Sequence, residues 1–168
     1  MTETVACLPR EKPRHLLGVG SPEDIVAGVA RGIDIFDCAM PTQVARKGAL
    51  LTCQGRRNIR NATYRDMMEP FDPRCGCYTC RNFSVAYLHH LFRSQELLAY
   101  RLATIHNLYF MNALMAKIRE TIANGGFRTF QDKFLAGYKT ADDETRATQR
   151  EKWLAAQTRK GLAGKETD

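Results

Sequence analysis

Apolar and polar positions change period along this chain, and each change marks a different kind of element. His15-Leu16-Leu17-Gly18-Val19-Gly20 has the short apolar run and glycine turn of a buried strand. Ser21 then supplies an N-cap, Pro22 suits the first helical position, and Asp24 stands close to a capping box. Ile25, Val26, Val29 and Ala30 share one face of that helix, and Gly32 ends it. Ile33-Asp34-Ile35-Phe36 is the next short strand. A strand, a helix and a strand in this order predict a parallel pair joined by a right-handed crossover. The second strand should end at Asp37, and a turn is expected over Cys38-Ala39-Met40-Pro41-Thr42.

Farther on, Ala49–Cys53 and Arg57–Asn61 flank Gln54-Gly55, the pattern of a β-hairpin. After a cysteine-rich loop the period becomes helical. Phe83, Tyr87, His90 and Leu91 form one stripe. A long amphipathic pattern from Gln95 to Ala123 runs through Leu98, Leu102, Ile105, Tyr109, Ala113 and Ile118 and stops at Gly125-Gly126. Such a stripe predicts core packing. Beyond Tyr138 the chain is highly charged, with Trp153, Leu154 and Leu162 its bulky apolar residues, and a frayed or flexible tail is expected.

Composition adds a partner class to this picture. With 168 residues, 44% of them apolar, the chain can build a real core, and it contains no apolar run of membrane-spanning length. Its start shows no secretory pattern, so a cytoplasmic location with reduced thiols is the expectation. The net charge is +7. More telling is its distribution: from Cys38 to Arg65 there is no Asp or Glu, while Arg46, Lys47, Arg56, Arg57, Arg60 and Arg65 fall in that stretch. One-signed segments suit phosphate contacts, so a nucleic acid is the expected partner.

The chemistry concentrates at Cys75, Cys77 and Cys80, spaced C-x-C-x-x-C behind Asp72-Pro73-Arg74. Three thiolates on one tight loop can face a single tetrahedral ion, as structural zinc requires. A redox pair at Cys77 and Cys80 fits less well, because a third cysteine stands two residues upstream. The fourth ligand must come from His15, His89, His90 or His106, and spacing leaves the choice open. A helix could aim His106 back at the cysteine loop. Asp37 is a catalytic candidate by position, since C-terminal strand ends carry the chemistry in parallel α/β folds; alternatively it caps the following turn. A zinc deaminase would need H-x-E with P-C-x-x-C, and neither string occurs.

Taken together, Leu17-Gly18-Val19-Gly20, Gly32-Ile33-Asp34-Ile35-Phe36-Asp37-Cys38, Pro41-Thr42, Asn58-Ile59-Arg60-Asn61, Cys75-x-Cys77-x-x-Cys80, Tyr87-x-His89-His90-Leu91 and His106-Asn107 closely resemble the tRNA-guanine transglycosylases of bacterial type. These are queuine tRNA-ribosyltransferases, and the likeness runs in order from about Lys12 to about Phe134. The resemblance implies a modified (β/α)8 barrel. It also implies exchange of guanine at the anticodon wobble position of certain tRNAs for queuine or its precursor. By motif, Asp37 is then the nucleophile at the ribose, and Cys75, Cys77, Cys80 and His106 hold one structural Zn2+. Gly18, Val19, Gly20, Ser21, Pro22, Glu23 and Asp24, with Thr42, Gln43, Val44, Ala45, Arg46 and Lys47, fall in segments that contact the RNA. Leu17 and Gly18 line the base pocket, Leu17 at a place where the family often has Met. Pro41-Thr42-Gln43 stands where the family usually reads Pro-Thr-Arg, so one fixed charge is lost while Arg46 keeps the second basic position.

The same resemblance sets an expectation about extent. The chain corresponds to the C-terminal part of the family sequence, whereas a complete eight-stranded barrel needs roughly 250 residues. The upstream part carries a second catalytic Asp and most of the pocket for the incoming base. The expected architecture is therefore α/β: the last strands and helices of a TIM-type barrel, an inserted β-hairpin and a zinc-binding helical subdomain. The expected segments are a lead-in at 1–14, partial barrel with basic hairpin at 15–70, zinc-binding helical part at 71–136, and charged tail at 137–168. The expected partners are the tRNA, the queuine-type base, and either a second copy or a complementary N-terminal half, with no membrane. A chain so placed is expected to be inactive without the missing N-terminal half. The other reading is a non-catalytic zinc-stabilised module for RNA binding or a subunit interface.

Overall fold

Ser21 opens the first crossover helix as its side chain dictates, accepting a hydrogen bond from the Asp24 backbone N–H at 3.2 Å. A computed structural model describes residues 2–139, nearly all of them in the unit Met1–Tyr138. The expected charged tail lies, from residue 140 onward, outside the described residues. After α1 (Thr2–Ala6) come β1 (His15–Leu17), α2 (Pro22–Val29) and β2 (Ile35–Asp37). Strands β1 and β2 pair in parallel, with Leu17 opposite Asp37. Next are α3 (Met40–Arg46) and an antiparallel hairpin of β3 (Ala49–Thr52) and β4 (Gly55–Asn58). A 3-10 turn (Ala62–Tyr64), α4 (Tyr78–Asn82), α5 (Val85–Arg93), α6 (Leu97–Ala123) and α7 (Phe127–Gly137) complete the described part.

Helix α6 is the spine. One core cluster gathers Leu50, Ile59, Leu88, Phe92, Leu102 and the cysteine loop along its first half. A second gathers Ile25, Val26, Leu51, Met111, Leu114 and Ile118, with Phe127, Phe130 and Phe134 of α7 packed against it. Both clusters therefore share α6 and hairpin residues, which places the hairpin between the parallel pair and the cysteine-bearing helices.

Several expectations are corrected. Strand β1 is not buried: Leu17 is 71% exposed and Ile35 on β2 is 48% exposed, because each strand has a single neighbour here. The turn expected at 38–42 gives way to α3, which starts at Met40 with Pro41 at its N-terminus, a place where proline's missing N–H costs nothing. The return strand is Gly55–Asn58, two residues earlier than expected, because a two-residue turn at Cys53-Gln54 pairs Thr52 with Gly55. In α5 the buried face is Val85, Leu88, His89, Leu91 and Phe92, while Tyr87 and His90 are exposed. Ser84 caps that helix, so Phe83 precedes it, yet its ring still stacks on Tyr87 with centroids 5.5 Å apart. In α6, Leu98 and Tyr109 are exposed, and His106 and Asn107 take the buried positions. Both exchanges have one cause. His89, His106 and Asn107 find hydrogen-bond partners inside, and a satisfied polar group can be buried. Helices α1, α4 and α7 are additions to the expected elements.

Candidate metal centre and the strand ends beside it

Two turns bring the cysteines together. Asp72 starts the loop, its carboxylate accepting from the Arg74 backbone N–H at 2.9 Å and its carbonyl from that of Cys75 at 3.0 Å. Cys77 then takes the N-cap position of α4, its sulfur 3.3 Å from the backbone nitrogen of Cys80. Helix α4 is stapled to α6 by the buried Thr79 hydroxyl, which donates to the Leu102 carbonyl at 2.7 Å. These constraints leave three sulfurs facing His106 in the middle of α6.

The donor atoms of Cys75, Cys77, Cys80 and His106 all lie within 4.8 Å of one another, and Cys77, Cys80 and His106 are buried. His106 Nδ1 is 3.7, 3.6 and 3.4 Å from the three sulfurs in turn. A tetrahedral zinc with usual bond lengths separates sulfur from nitrogen by roughly 3.5 Å, so the spacing fits such an ion. The imidazole is already oriented for a metal. Its Nε2 is 2.8 Å from the Leu51 carbonyl oxygen, which only accepts, so Nε2 carries a hydrogen and Nδ1 is the nitrogen that a metal would take in place of a proton. Phe71 packs edge-on to the imidazole, ring centroids 5.5 Å apart, and screens it from water.

Without a cation the cluster is electrostatically frustrated. The Cys80 side chain pulls the Cys77 thiol down to about 3, against the opposing effect of burial and with help from His106. The same contact with Cys77, then burial, pushes Cys80 well up. Burial acts to lower His106, yet the Cys75 and Cys77 sulfurs, followed by the Leu51 carbonyl, outweigh it and raise the imidazole to about 9. Thiols in this arrangement share protons that a dication would replace, giving each sulfur and Nδ1 the same partner. The four residues thus fit zinc. With four protein ligands the coordination is closed, and the ion would supply structure: a cross-link between the loop and α6.

Asp37 occupies the C-terminal end of β2 and is exposed. Leu17, its register partner, ends β1 beside it. The Gly18 N–H donates to the Asp37 carbonyl at 2.7 Å, with Gly18 at φ +76°, a conformation that favours glycine. Gly20 faces Cys38, and a Cβ added there would collide with the Cys38 Cβ. The loops after the two strands are therefore in direct contact. Ser21 to Asp24 form the start of α2, where Pro22 is buried and Asp24 exposed. Thr42 to Arg46 lie on α3 and Lys47 caps it. Gln43, Arg46 and Lys47 are exposed, Thr42 and Val44 half-buried, while Ala45 is fully buried in the core. The other members of the one-signed stretch, Arg56, Arg57, Arg60 and Arg65, are all exposed. Arg60 lies 5.6 Å over the Phe92 ring, and Arg57 bonds Gln54 across the hairpin turn.

One participant entered the sequence reading only as part of the His106-Asn107 motif, with no role assigned. Asn107 is fully buried and hydrogen-bonded to Pro41, Ala49 and Leu51, residues far away along the chain. Apart from that motif, its sequence signal is a polar residue following His106 on a face that also carries Leu102, Ala103 and Leu114.

The family model described as queuine tRNA-ribosyltransferase matches residues 1–140. A queuine tRNA-ribosyltransferase of Dehalococcoides mccartyi is 52% identical over 155 residues, which cover 92% of this chain and 40% of the relative. Those of Dictyoglomus turgidum and Pelotomaculum thermopropionicum are 50% and 52% identical over 150 and 136 residues, covering 39% and 37% of their own lengths. The chain thus spans about two fifths of the curated relatives it matches. A Cys3His cluster of metal-binding geometry, a parallel α/β pair ending in an exposed carboxylate, and half-identical relatives over most of the sequence lead to one conclusion: the chain belongs to the queuine tRNA-ribosyltransferase family, whose fold is of the α/β TIM type.

Proposed function

We propose that this chain forms the zinc-bearing, nucleophile-carrying part of a tRNA-guanine transglycosylase and supplies the last strands of its barrel. The observation that carries this reading is the pairing of Leu17 with Asp37 at neighbouring C-terminal strand ends, with the carboxylate open to solvent. In the proposed reaction an Asp37 carboxylate oxygen attacks C1′ of the wobble guanosine. The C1′–N9 bond breaks, its electron pair leaves with the guanine, and a second group protonates the ring. The incoming queuine or precursor then attacks C1′, loses a proton, and releases the Asp37 carboxylate. Two displacements at one carbon retain configuration and keep water from hydrolysing the sugar, as in retaining glycosidases. The second group belongs to the part of the family sequence that this chain does not span.

Around that centre, the loop from Gly18 to Asp24 and helix α3 from Thr42 to Lys47 would hold the RNA backbone, with Leu17 and Gly18 against the base. The base must leave its stack to reach Asp37, and Arg46, Lys47, Arg56 and Arg57 would neutralise the phosphates beside it. One Zn2+ on Cys75, Cys77, Cys80 and His106 would lock the lobe that carries them. Among the described residues no helix is long and apolar enough to cross a membrane, and a tRNA substrate suits a cytoplasmic protein.

The exposed Leu17 and Ile35 favour a complementary half, or a second copy, packed against the parallel pair. They equally favour the second reading, a non-catalytic zinc-stabilised module that binds RNA or forms a subunit interface. One experiment separates the two. The chain is mixed with the remaining N-terminal portion of the Dehalococcoides mccartyi relative and assayed for incorporation of labelled guanine into tRNA. Exchange is expected with both polypeptides and not with this chain alone. Asp37→Asn should reduce it by roughly 10⁴-fold or more, the scale on which removal of a nucleophile acts. Undiminished exchange by Asp37→Asn removes that residue from the role. RNA binding without exchange by the mixture supports the module reading.

A further inference from the structure

Hairpin geometry leaves one edge of β3 in need of partners. With Thr52 and Gly55 closing the two-residue turn, Leu51 pairs with Arg56, and Ala49 with Asn58, at positions whose N–H and C=O groups point away from β4. Another strand would ordinarily cover that edge. Here two consecutive side chains of α6 do so. His106 Nε2–H donates to the Leu51 carbonyl at 2.8 Å, and the Asn107 carboxamide oxygen accepts from the Leu51 N–H at 2.9 Å. The Asn107 nitrogen donates to the Ala49 carbonyl at 3.0 Å and to the Pro41 carbonyl at 2.9 Å.

The last of these bonds matters most. Pro41 stands in the first turn of α3, four residues after Asp37. His106 turns its other nitrogen to the three sulfurs. A single stretch of α6 therefore touches the metal loop, the hairpin edge and the helix that follows the candidate nucleophile. Asn107 has no exposed surface, and its amide is held on three sides. Buried amides fixed this way resist small displacements, because each lost bond leaves a desolvated group unpaired.

We propose that Asn107 is a positioning residue that transmits closure of the metal loop to the Asp37-bearing segment, so that filling the Cys3His site orders α3. The proposal rests on the reading of Asp37 and α3 as nucleophile and RNA-contacting helix, but its test does not require RNA or activity. Hydrogen–deuterium exchange is followed in the full chain with zinc bound and after chelation. Chelation should raise exchange in the metal loop and, through Asn107, at least fivefold at the amides of Val44 to Lys47. Asn107→Asp keeps the acceptor for Leu51 and loses both donated bonds. This variant should still bind zinc in equal amount and protect the metal loop, while α3 exchanges about tenfold faster and no longer responds to zinc.

Three results overturn the proposal: an α3 indifferent to zinc in the unaltered protein, an α3 that still responds in the variant, or equal loss of protection throughout the chain. If Asn107→Asp does not fold, Asn107→Ser, which cannot span to Pro41 and adds no charge, is read by the same criteria. Failure of both to fold makes Asn107 a folding residue and likewise overturns it. Absence of guanine exchange in the assay above would remove the functional reading and leave the zinc response of α3 standing.

Discussion

Leu51 has both of its backbone polar groups held by neighbours on α6, its carbonyl by His106 and its N–H by Asn107. A strand edge is thereby closed by a helix, and His106, one of the two residues that close it, also faces the metal cluster. The metal site and the hairpin are consequently parts of one structure, and disturbing either should be felt in the other.

Zinc removal is the first test of that unity. The purified chain is expected to carry one zinc, held by the four clustered ligands. Chelation should lower the melting temperature and expose Cys75, Cys77 and Cys80 to thiol reagents, as metal binding and folding are linked. Cys77→Ser should likewise lower the melting temperature and expose Cys75 and Cys80, since it removes one of the four clustered donor atoms while a serine can still cap α4. Elemental analysis with thermal melts measures this, and a metal-free protein of unchanged stability would contradict it.

Thr79→Val keeps side-chain volume and deletes the buried hydrogen bond to the Leu102 carbonyl. The expected loss is about 1–2 kcal/mol, a few degrees in melting temperature. Because Thr79 is not a ligand, zinc stoichiometry should stay the same. Denaturant titration alongside metal analysis reads both quantities.

Gly20→Ala puts a methyl group into the Cys38 side chain, with no room for it to relax. A cost of about 1–3 kcal/mol is expected, the usual scale of overpacking. The strain falls between the loops after β1 and β2, so protection from hydrogen exchange should drop there and hold in α4 to α6. Unchanged stability would mean that the two loops are farther apart in solution.

Binding of anticodon stem-loop RNA should weaken linearly with the logarithm of salt concentration. Arg56→Ala and Arg57→Ala should each reduce the slope by about 1 and leave zinc content alone. The expectation comes from their exposure on β4 within a stretch lacking acidic residues. Fluorescence anisotropy over a salt series gives the slope, and insensitivity to salt would rule out phosphate contacts.

Local instructions were legible because they act over a few residues. Ser21 with Pro22 starts a helix, the segment around Gln54 turns a hairpin although one residue earlier than Gln54-Gly55, and Cys75, Cys77 and Cys80 are kept on one short segment. The strand-helix-strand order likewise implies the parallel pairing of β1 with β2. The helical stripes misled because hydrophobicity reports burial only on average. His89, His106 and Asn107 went inside on the strength of partners contributed by Ile59, Leu51, Pro41 and Ala49. Leu17 and Ile35, apolar as any core residue, remained outside for want of neighbours.

By itself the amino-acid sequence determined the strand-helix-strand unit, the presence of a hairpin and the long helix, the three closely spaced thiols, the one-signed segment from Cys38 to Arg65, and the family likeness. It left open which histidine completes the cluster on physical grounds, since that depends on which helix passes the loop and how it is rotated. Tertiary packing decided for His106: Thr79 clamps α4 to α6, and the Leu51 carbonyl orients the imidazole. Such choices rest on groups separated by dozens of residues, where only the folded chain brings donor and acceptor within reach.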